Sequence, residues 1–178
     1  PLTFLLMKLL NRTQIVGKEN IAKLKPGWVL ASNHLTILDD FFIDPLILYP
    51  NSLRGYNYFS FHAPEETNFY KNRLMSWFMR QVKCIPLMRG KGIYQKGMDA
   101  LIELVNNNGI LHIFPEGTRT RTGKIGKLRP GIGRIICETN APVVPVYYQG
   151  LEKILSIGKV FPRFGKVVII SIGKPIYF

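Results

Sequence analysis

Apolar positions along this chain alternate between short continuous runs and sets with helical spacing. The continuous runs, which are typical of buried strands, cover residues 28–32, 110–114, 143–148 and 167–172. The sets spaced by three or four residues predict helices over 37–48, 68–80, 92–105 and 131–139. Because strands alternate with helices, the predicted fold class is α/β, a single layered domain with a mixed, largely parallel sheet flanked by helices.

The helix predicted over 92–105 has the clearest pattern. Its apolar face consists of five residues: Tyr94, Met98, Leu101, Ile102 and Val105. An Asn-Asn-Asn-Gly run follows it, which is a typical helix stop. The segment before it, residues 84–88, is strand-like.

The first ten residues form an apolar segment in which Lys8 is the only charge. The segment is shorter than the roughly 18–20 apolar residues that cross a bilayer. Since no small-residue cleavage site follows it, we expect no signal peptide. Two interpretations of residues 1–10 stay open, an interfacial membrane anchor and a core helix. No repeat or linker interrupts residues 11–178, which we expect to form one domain.

The net charge of the chain limits the classes of partner that it is expected to bind. The 178 residues carry 24 Lys and Arg against 11 Asp and Glu, a formal net charge of +13. The excess is concentrated in residues 117–178, which hold 11 basic and 2 acidic side chains. Such a surface attracts phosphate groups of an anionic membrane or of nucleic acid. A nucleic-acid binder would be expected to interleave aromatic and basic residues or to carry a known motif, and neither stands out, so we expect no nucleic acid as partner.

The two cysteines, Cys84 and Cys137, are too few for a disulfide scaffold or a structural zinc site. Both stand in apolar stretches of the sequence. We therefore expect them to be core thiols in a reducing compartment, with a single disulfide between them as the alternative.

The most informative chemistry lies in Ser-Asn-His-Leu-Thr-Ile-Leu-Asp-Asp, residues 32–40. Histidine is the usual general base near neutral pH, and a carboxylate on its second ring nitrogen fixes the tautomer. Five steps along one helix leave two side chains roughly 140° apart. His34 and Asp39 can therefore meet only if His34 lies in a turn before the helix. By geometry alone, Asp40 is nearly as good a partner.

A metal site is the competing interpretation of these acids. Its ligands would be His34, Asp39, Asp40 and Asp44. The other two histidines, His62 and His112, lie far away along the sequence. We therefore expect no metal site, and His112 is interpreted as a core histidine with its hydrogen bonds satisfied.

A second polar segment leaves the strand predicted over 110–114. There Gly117 allows a close backbone approach to a ligand, Thr118 offers a hydroxyl, and Arg119 offers a planar group for a phosphate. The basic residues that follow, such as Lys124 and Lys127, are also consistent with a solvated loop. Arg89 precedes a Gly-Lys-Gly turn and is by itself a weak signal.

Together these segments resemble the four sequence blocks of the glycerolipid acyltransferase family, which includes 1-acylglycerol-3-phosphate acyltransferases. The blocks are Asn33-His34-x4-Asp39, Arg89, Phe114-Pro115-Glu116-Gly117-Thr118-Arg119 and Val144-Pro145-Val146. Within the family, the intervening sequence is most similar to the tafazzin-type phospholipid–lysophospholipid transacylases. That similarity is carried by residues 92–99, 112–117, 131–134, 161–165 and 172–175.

The resemblance implies a function and a set of roles. His34 would take a proton from a lysophospholipid hydroxyl as it attacks an acyl carbonyl, and Asp39 would orient His34. The substrate-binding residues would be five: Arg89, Glu116, Gly117, Thr118 and Arg119. No bound cofactor and no metal would be required. A nonenzymatic protein that binds anionic lipid is the alternative function.

The resemblance also sets the expected donor and location. Thr118-Arg119 matches the coenzyme-A-dependent members, whereas animal tafazzins diverge at this point. The acyl donor is therefore acyl-CoA or an intact phospholipid. Such substrates imply an anionic lipid membrane as partner. We expect peripheral or monotopic attachment to a bacterial inner membrane or a mitochondrial membrane.

Overall fold

The computed structural model describes residues 2–88, 90–159 and 161–178, and a sheet of six strands organises them. The strands are β1 (Arg12–Val16), β2 (Trp28–Ser32), β3 (Ser60–His62), β4 (Ile110–Ile113), β5 (Val143–Gln149) and β6 (Val167–Ile172). Their order is β1-β6-β5-β2-β4-β3. Only the β5–β6 pair is antiparallel among these strands. The predicted mixed, largely parallel sheet is confirmed.

Seven α-helices occur in the part of the chain that the structure describes. They are α1 (Leu2–Leu9), α2 (Asp39–Leu48), α3 (Glu66–Phe69), α4 (Arg73–Gln81), α5 (Lys96–Asn106), α6 (Gly131–Thr139) and α7 (Leu151–Ile154). Short 3₁₀ helices cover Lys18–Asn20, Asn51–Arg54 and Tyr56–Tyr58.

Two apolar cores cover the two faces of the sheet. Successive residues of a strand point to opposite faces, so β2 supplies Trp28 and Leu30 to one core and Val29 to the other. The first core is closed by α1, α2 and α7, and the second by α5 and α6. The sheet is thus flanked by helices, as predicted.

The single helix predicted over 68–80 is wrong. The helix α3 ends before Tyr70, and α4 begins only after Asn72. Asn72 is extended, and its side-chain oxygen accepts a 2.8 Å hydrogen bond from the Met75 N–H, which caps α4. Apolar spacing continues through this cap, so the pattern did not reveal the interruption.

The helix predicted from residue 92 begins only at Lys96. The Gln95 side chain holds the preceding turn together, because it accepts from the Met88 N–H at 2.8 Å and donates to the carbonyl of Gly92 at 2.8 Å. Tyr94 lies in that turn and is 81% exposed, so its place on the buried face was wrong.

Three further boundaries differ from the predictions. The helix predicted from residue 37 begins at Asp39, and the strand predicted over 110–114 ends at Ile113. Residues 84–88 make only isolated bridges to the β3 region, at Cys84 and Leu87. The short strands β1 and β3 were not predicted, because β1 has a mixed polar pattern and β3 has only three residues.

The apolar N-terminal segment forms α1 and packs on α2 through one face. Met7 is fully buried in the first core, whereas Leu5 and Leu9 are exposed. One face of α1 therefore belongs to the first core, and the opposite face is exposed. Among the described residues, no helix is both long and apolar enough to cross a membrane.

The cysteines differ from expectation at one position. Both thiols are free, but Cys137 is exposed on α6, so its assignment to the core was wrong. Cys84 is half-buried. Burial, with a smaller contribution from the charge of Asp40, raises the pKa of the Cys84 thiol to about 12.

Candidate active site

The sequence motifs meet at the carboxyl edge of two neighbouring parallel strands. β2 ends at Ser32 and leads into His34, and β4 ends at Ile113 and leads into Phe114. Parallel neighbours end at the same edge of a sheet, which is where α/β domains usually place their sites. The His34 and Phe114 rings stack there, with centroids 3.9 Å apart and planes 12° apart.

His34 and Asp39 are in direct contact. The Nδ1 atom of His34 lies 2.9 Å from Oδ2 of Asp39. The contact forms because His34 lies in the turn after β2 while Asp39 is the first residue of α2. This is the geometry that the rotation argument required.

The Asp39 carboxylate is buried, with 1% of the residue exposed, and it receives several donors. Besides the ring of His34, it accepts hydrogen bonds from the backbone N–H groups of Leu35 at 2.6 Å and Thr36 at 2.8 Å. The hydroxyl of Tyr148 donates to it at 2.9 Å. Since a carboxylate only accepts, Nδ1 of His34 carries the proton and Nε2 is left as the basic nitrogen.

The competing partner, Asp40, faces another histidine. Its Oδ2 lies 3.2 Å from Nδ1 of His62. Consecutive residues of a helix point about 100° apart, so Asp39 and Asp40 serve different groups. The structure therefore pairs His34 with Asp39.

Two residues in this arrangement had no predicted role, although one of them, Asn33, stands in the first family block. Asn33 donates its side-chain N–H to the carbonyl of Tyr148 at 2.8 Å and accepts from the Tyr148 N–H at 3.0 Å. These bonds fix the start of the turn to β5. Burial, and then the charge of Asp39, raise the pKa of Tyr148 well above its usual value, so its hydroxyl stays a donor. Neither residue type has a sequence spacing that would have revealed this link.

Glu116 does not lie where a residue that contacts a substrate directly would be expected. Its side chain is buried, and Oε1 accepts from the His34 N–H at 3.2 Å while Oε2 accepts from the Gly126 N–H at 2.7 Å. The carboxylate thus joins the histidine turn to the loop formed by residues 117–130, which we call the basic loop. A second link comes from the Thr120 N–H, which donates to the carbonyl of His34 at 2.8 Å.

The other predicted binding residues lie at the start of the basic loop. Gly117, Thr118 and Arg119 are all exposed. Gly117 has φ +66°, a left-handed conformation that favours glycine. In the described part of the chain, no acidic side chain pairs with Arg119. Arg89 lies outside the described residues.

A second group of titratable side chains lies on the other side of Phe114. His112 is buried, with Nε2 2.7 Å from Oγ of Ser32 and Nδ1 2.8 Å from Oδ1 of Asp44. Burial, the largest single cause, lowers the pKa of His112, but the contact with Asp44 and the charges of Asp44, Asp40 and Asp39 together outweigh it and raise that pKa. The expected buried position of His112 is confirmed, but its hydrogen bonds are not all satisfied, because Nδ1 has none among the described residues. The fold also brings His62 and His112 together, although 50 residues separate them.

Comparison with known proteins identifies related sequences. The sequence model of the Acyltransferase family matches residues 12–149. The chain is 33% identical over 165 residues to the Dictyostelium discoideum protein named Taffazin, covering 87% of this chain and 56% of that protein. It is 31% identical over 170 residues to a chloroplastic 1-acyl-sn-glycerol-3-phosphate acyltransferase of Brassica napus, covering 93% of this chain and 45% of that one.

A solved structure shows the same fold. The crystal structure of the 1-acyl-sn-glycerophosphate acyltransferase from Thermotoga maritima matches with a TM-score of 0.73 at 23% sequence identity. The match covers 95% of this chain and 63% of that chain. The chain thus spans about half the length of the two curated relatives named above and a larger part of the solved structure.

Proposed function

This chain belongs to the Acyltransferase family, and on that premise we propose that it transfers a fatty acyl chain to a hydroxyl of a lysophospholipid. The observation that carries the proposal is the contact between Nδ1 of His34 and the buried Asp39, which leaves Nε2 of His34 as a base. The His34 side chain is 19% exposed, so a substrate can reach this nitrogen.

The proposed reaction is direct transfer between two bound substrates. Nε2 of His34 takes the proton of the acceptor hydroxyl while the hydroxyl oxygen attacks the acyl carbonyl carbon. A new ester C–O bond forms, and the bond from the carbonyl carbon to the leaving group breaks. The protonated His34 then returns its proton to the leaving thiolate or alkoxide. Asp39 holds the ring and stabilises its positive charge during the step.

The cysteines do not offer an alternative nucleophile. A thiol attacks as the thiolate, and Cys84 has its pKa raised to about 12. Among the hydrogen bonds of the described residues, His34 has no serine, threonine or cysteine hydroxyl or thiol as partner. The residues present therefore favour direct transfer over an acyl-enzyme intermediate.

We assign recognition of the acceptor's phosphate to the start of the basic loop. Thr118 and Arg119 are exposed there, and the bonds from Glu116 and Thr120 tie the loop to the His34 turn. A phosphate held by Arg119 would place the neighbouring glycerol hydroxyl toward the histidine. Glu116 is assigned to shaping the loop rather than to contacting the substrate. Arg89 stays a predicted phosphate ligand.

Two exposed apolar surfaces support association with an anionic membrane. On α4, Leu74, Trp77 and Phe78 are exposed beside Arg73 and Arg80. Such a helix lies in a membrane interface with its apolar face in the lipid and its basic residues at the phosphates. The exposed face of α1 is the second surface. We assign the larger contribution to α4, because it has more basic residues.

The function is tested with purified protein, vesicles and labelled lysophospholipid, with acyl-CoA or intact phospholipid as the alternative donor. Formation of labelled diacyl phospholipid from either donor supports the proposal and identifies the donor. Binding to anionic vesicles without product from either donor would contradict it and favour a nonenzymatic lipid-binding protein.

A further inference from the structure

Four metal-ligating side chains converge behind the His34–Asp39 pair. Asp40 and Asp44 are one helical turn apart on α2 and face the sheet together. His62 and His112 occupy paired positions of the parallel strands β3 and β4, so their side chains leave the same face. The two rings lie 5.9 Å apart, between the strands and the helix.

The distances within this cluster fit a single bound ion. Nδ1 of His62 lies 3.2 Å from Oδ2 of Asp40, and Nδ1 of His112 lies 3.5 Å from Oδ1 of Asp40. One atom each from Asp40, His62 and His112 can be chosen so that all lie within 4.8 Å of one another. Ligand atoms about 2.0–2.1 Å from a tetrahedral ion are roughly 3.3 Å apart. The distances of 3.2 Å and 3.5 Å are close to this spacing, and Asp44 approaches the same group, with Oδ1 2.8 Å from Nδ1 of His112.

Several of these atoms lack hydrogen bonds. Oδ1 of Asp40, Oδ1 of Asp44, Nδ1 of His62 and Nδ1 of His112 are buried and receive no hydrogen bond from the described residues. Nδ1 of His112 and Oδ1 of Asp44 form an ion pair at 2.8 Å that does not meet the geometry of a hydrogen bond. Buried polar atoms nearly always have a partner. These atoms are therefore available to a shared ligand.

We propose that Asp40, Asp44, His62 and His112 bind one divalent transition-metal cation, for which Zn²⁺ is the natural probe. Imidazole nitrogen combined with carboxylate oxygen suits zinc, iron or manganese, whereas calcium and magnesium prefer oxygen ligands alone. The charges of two carboxylates balance a divalent ion. We expected no metal site because the histidines are far apart along the sequence. The pairing of β3 with β4 brings His62 and His112 together in space.

The surrounding hydrogen bonds prepare His112 as a ligand. The Ser32 hydroxyl donates to the carbonyl of Asn33 at 3.3 Å, so its oxygen accepts from Nε2–H of His112 at 2.7 Å. Nδ1 is then the ring nitrogen that faces Asp44, and a bound cation would replace the proton on it. The hydroxyl of Ser60 donates to Oδ2 of Asp44 and leaves Oδ1 available. Such outer hydrogen bonds are characteristic of protein metal sites.

The cluster is separate from the reacting groups. The Phe114 ring lies between them, with its centroid 3.9 Å from that of His34 and 4.7 Å from that of His112. A cation there would hold the first turns of α2 against β3 and β4. It would thereby position Asp39 without contacting a substrate.

The test is equilibrium dialysis of untagged, chelator-treated protein against Zn²⁺, followed by elemental analysis. We expect one Zn²⁺ per chain in the wild type, and affinity weaker by about tenfold or more in His62→Gln and Asp44→Asn. His34→Gln is the matched control, because it removes the third histidine outside the cluster. It should bind one Zn²⁺ with unchanged affinity.

A spectroscopic measurement on the wild type does not depend on how the variants fold. Co²⁺ in place of Zn²⁺ should give the intense visible absorption of a four-coordinate site, and added Zn²⁺ should remove it. Failure of the wild-type chain to retain stoichiometric Zn²⁺ would overturn the proposal, leaving metal-free pairing of the histidines with the aspartates. Equal affinity in wild type and a folded His62→Gln would overturn it as well. Neither readout depends on acyl transfer.

Discussion

Tyr148 donates its hydroxyl to the same oxygen of Asp39 that contacts the ring of His34, at 2.9 Å in both cases. The phenol lies on β5 and is fully buried. Tyr148 therefore links β5, the neighbour of β2 in the sheet, to the turn that contains His34. A hydroxyl in this position limits how the carboxylate can rotate, and through it how the imidazole is oriented.

Tyr148→Phe should lower the rate of acyl transfer at saturating substrates by about tenfold. The change removes one charge-assisted hydrogen bond and keeps the ring in the core, with an expected loss of about 1–3 kcal/mol in the interactions of Asp39. Steady-state kinetics should show the effect in kcat with KM for the acceptor nearly unchanged. A purely structural role would lower the melting temperature and leave the turnover of the folded fraction intact.

Asp39→Asn should reduce acyl transfer on the order of 10²-fold or more, because an amide does not stabilise the imidazolium and can reverse the tautomer of His34. Asp40→Asn is the comparison on the same helix: Asp40 contacts His62 and His112, so its loss reaches His34 only through the position of α2 and should cost less. Parallel turnover assays on folded protein provide the comparison. A larger loss in Asp40→Asn than in Asp39→Asn would show that the wrong carboxylate has been assigned to His34.

Glu116→Gln should loosen the basic loop. The single amide oxygen cannot accept from both the His34 N–H and the Gly126 N–H in the present geometry, where each carboxylate oxygen takes one. Tryptic cleavage after Lys124 and Lys127 should accelerate several-fold, together with a fall in acyl transfer. An unchanged cleavage rate with a higher acceptor KM would instead return Glu116 to direct contact with the substrate.

Arg119→Ala should raise the apparent KM for a phosphate-bearing lysolipid about tenfold, because a charge-assisted contact with phosphate is lost. Lys124→Ala is the control, since the same loop places it as a solvated side chain. Initial rates over a range of acceptor concentrations distinguish the two variants. Equal KM values for Arg119→Ala and wild type would remove Arg119 from the acceptor site.

Vesicle binding should depend mainly on α4. The double change of Leu74→Gln and Trp77→Gln should weaken co-sedimentation with anionic vesicles and leave a remainder that high salt abolishes. The matching double change of Leu5→Gln and Leu9→Gln on α1 should have a smaller effect. Val16→Gln, at an exposed position on the edge strand β1, is the control. A greater loss from the α1 pair would assign the anchor to the N-terminal segment.

Local geometry predicted that His34 could contact Asp39 or Asp40, and the family resemblance selected Asp39. Side chains five residues apart do not share one face of a helix, so the contact requires a turn before the helix. β2 ends at Ser32, which leaves room for that turn. The alternation of strands and helices likewise defined the layers of the sheet. The turn at His34 and the layers of the sheet use information from neighbouring residues alone.

Long-range pairings could not be predicted in the same way. The cluster around His112 depends on the register of the three-residue strand β3, which places His62 opposite His112. The link from Tyr148 to Asp39 spans 109 residues, and the two bonds of Glu116 depend on how the basic loop folds back. No periodicity or spacing in the sequence indicates any of these contacts.

The most direct measurement of the central claim is acyl transfer to a labelled lysophospholipid by His34→Ala beside wild type, with whichever donor the wild type uses. Loss of the general base should lower turnover by about 10²–10⁴-fold. Vesicle binding and the melting temperature should stay close to wild type, because His34 lies in a turn and its side chain is partly exposed. Turnover by His34→Ala within a few-fold of wild type would contradict the assignment of His34 as the base.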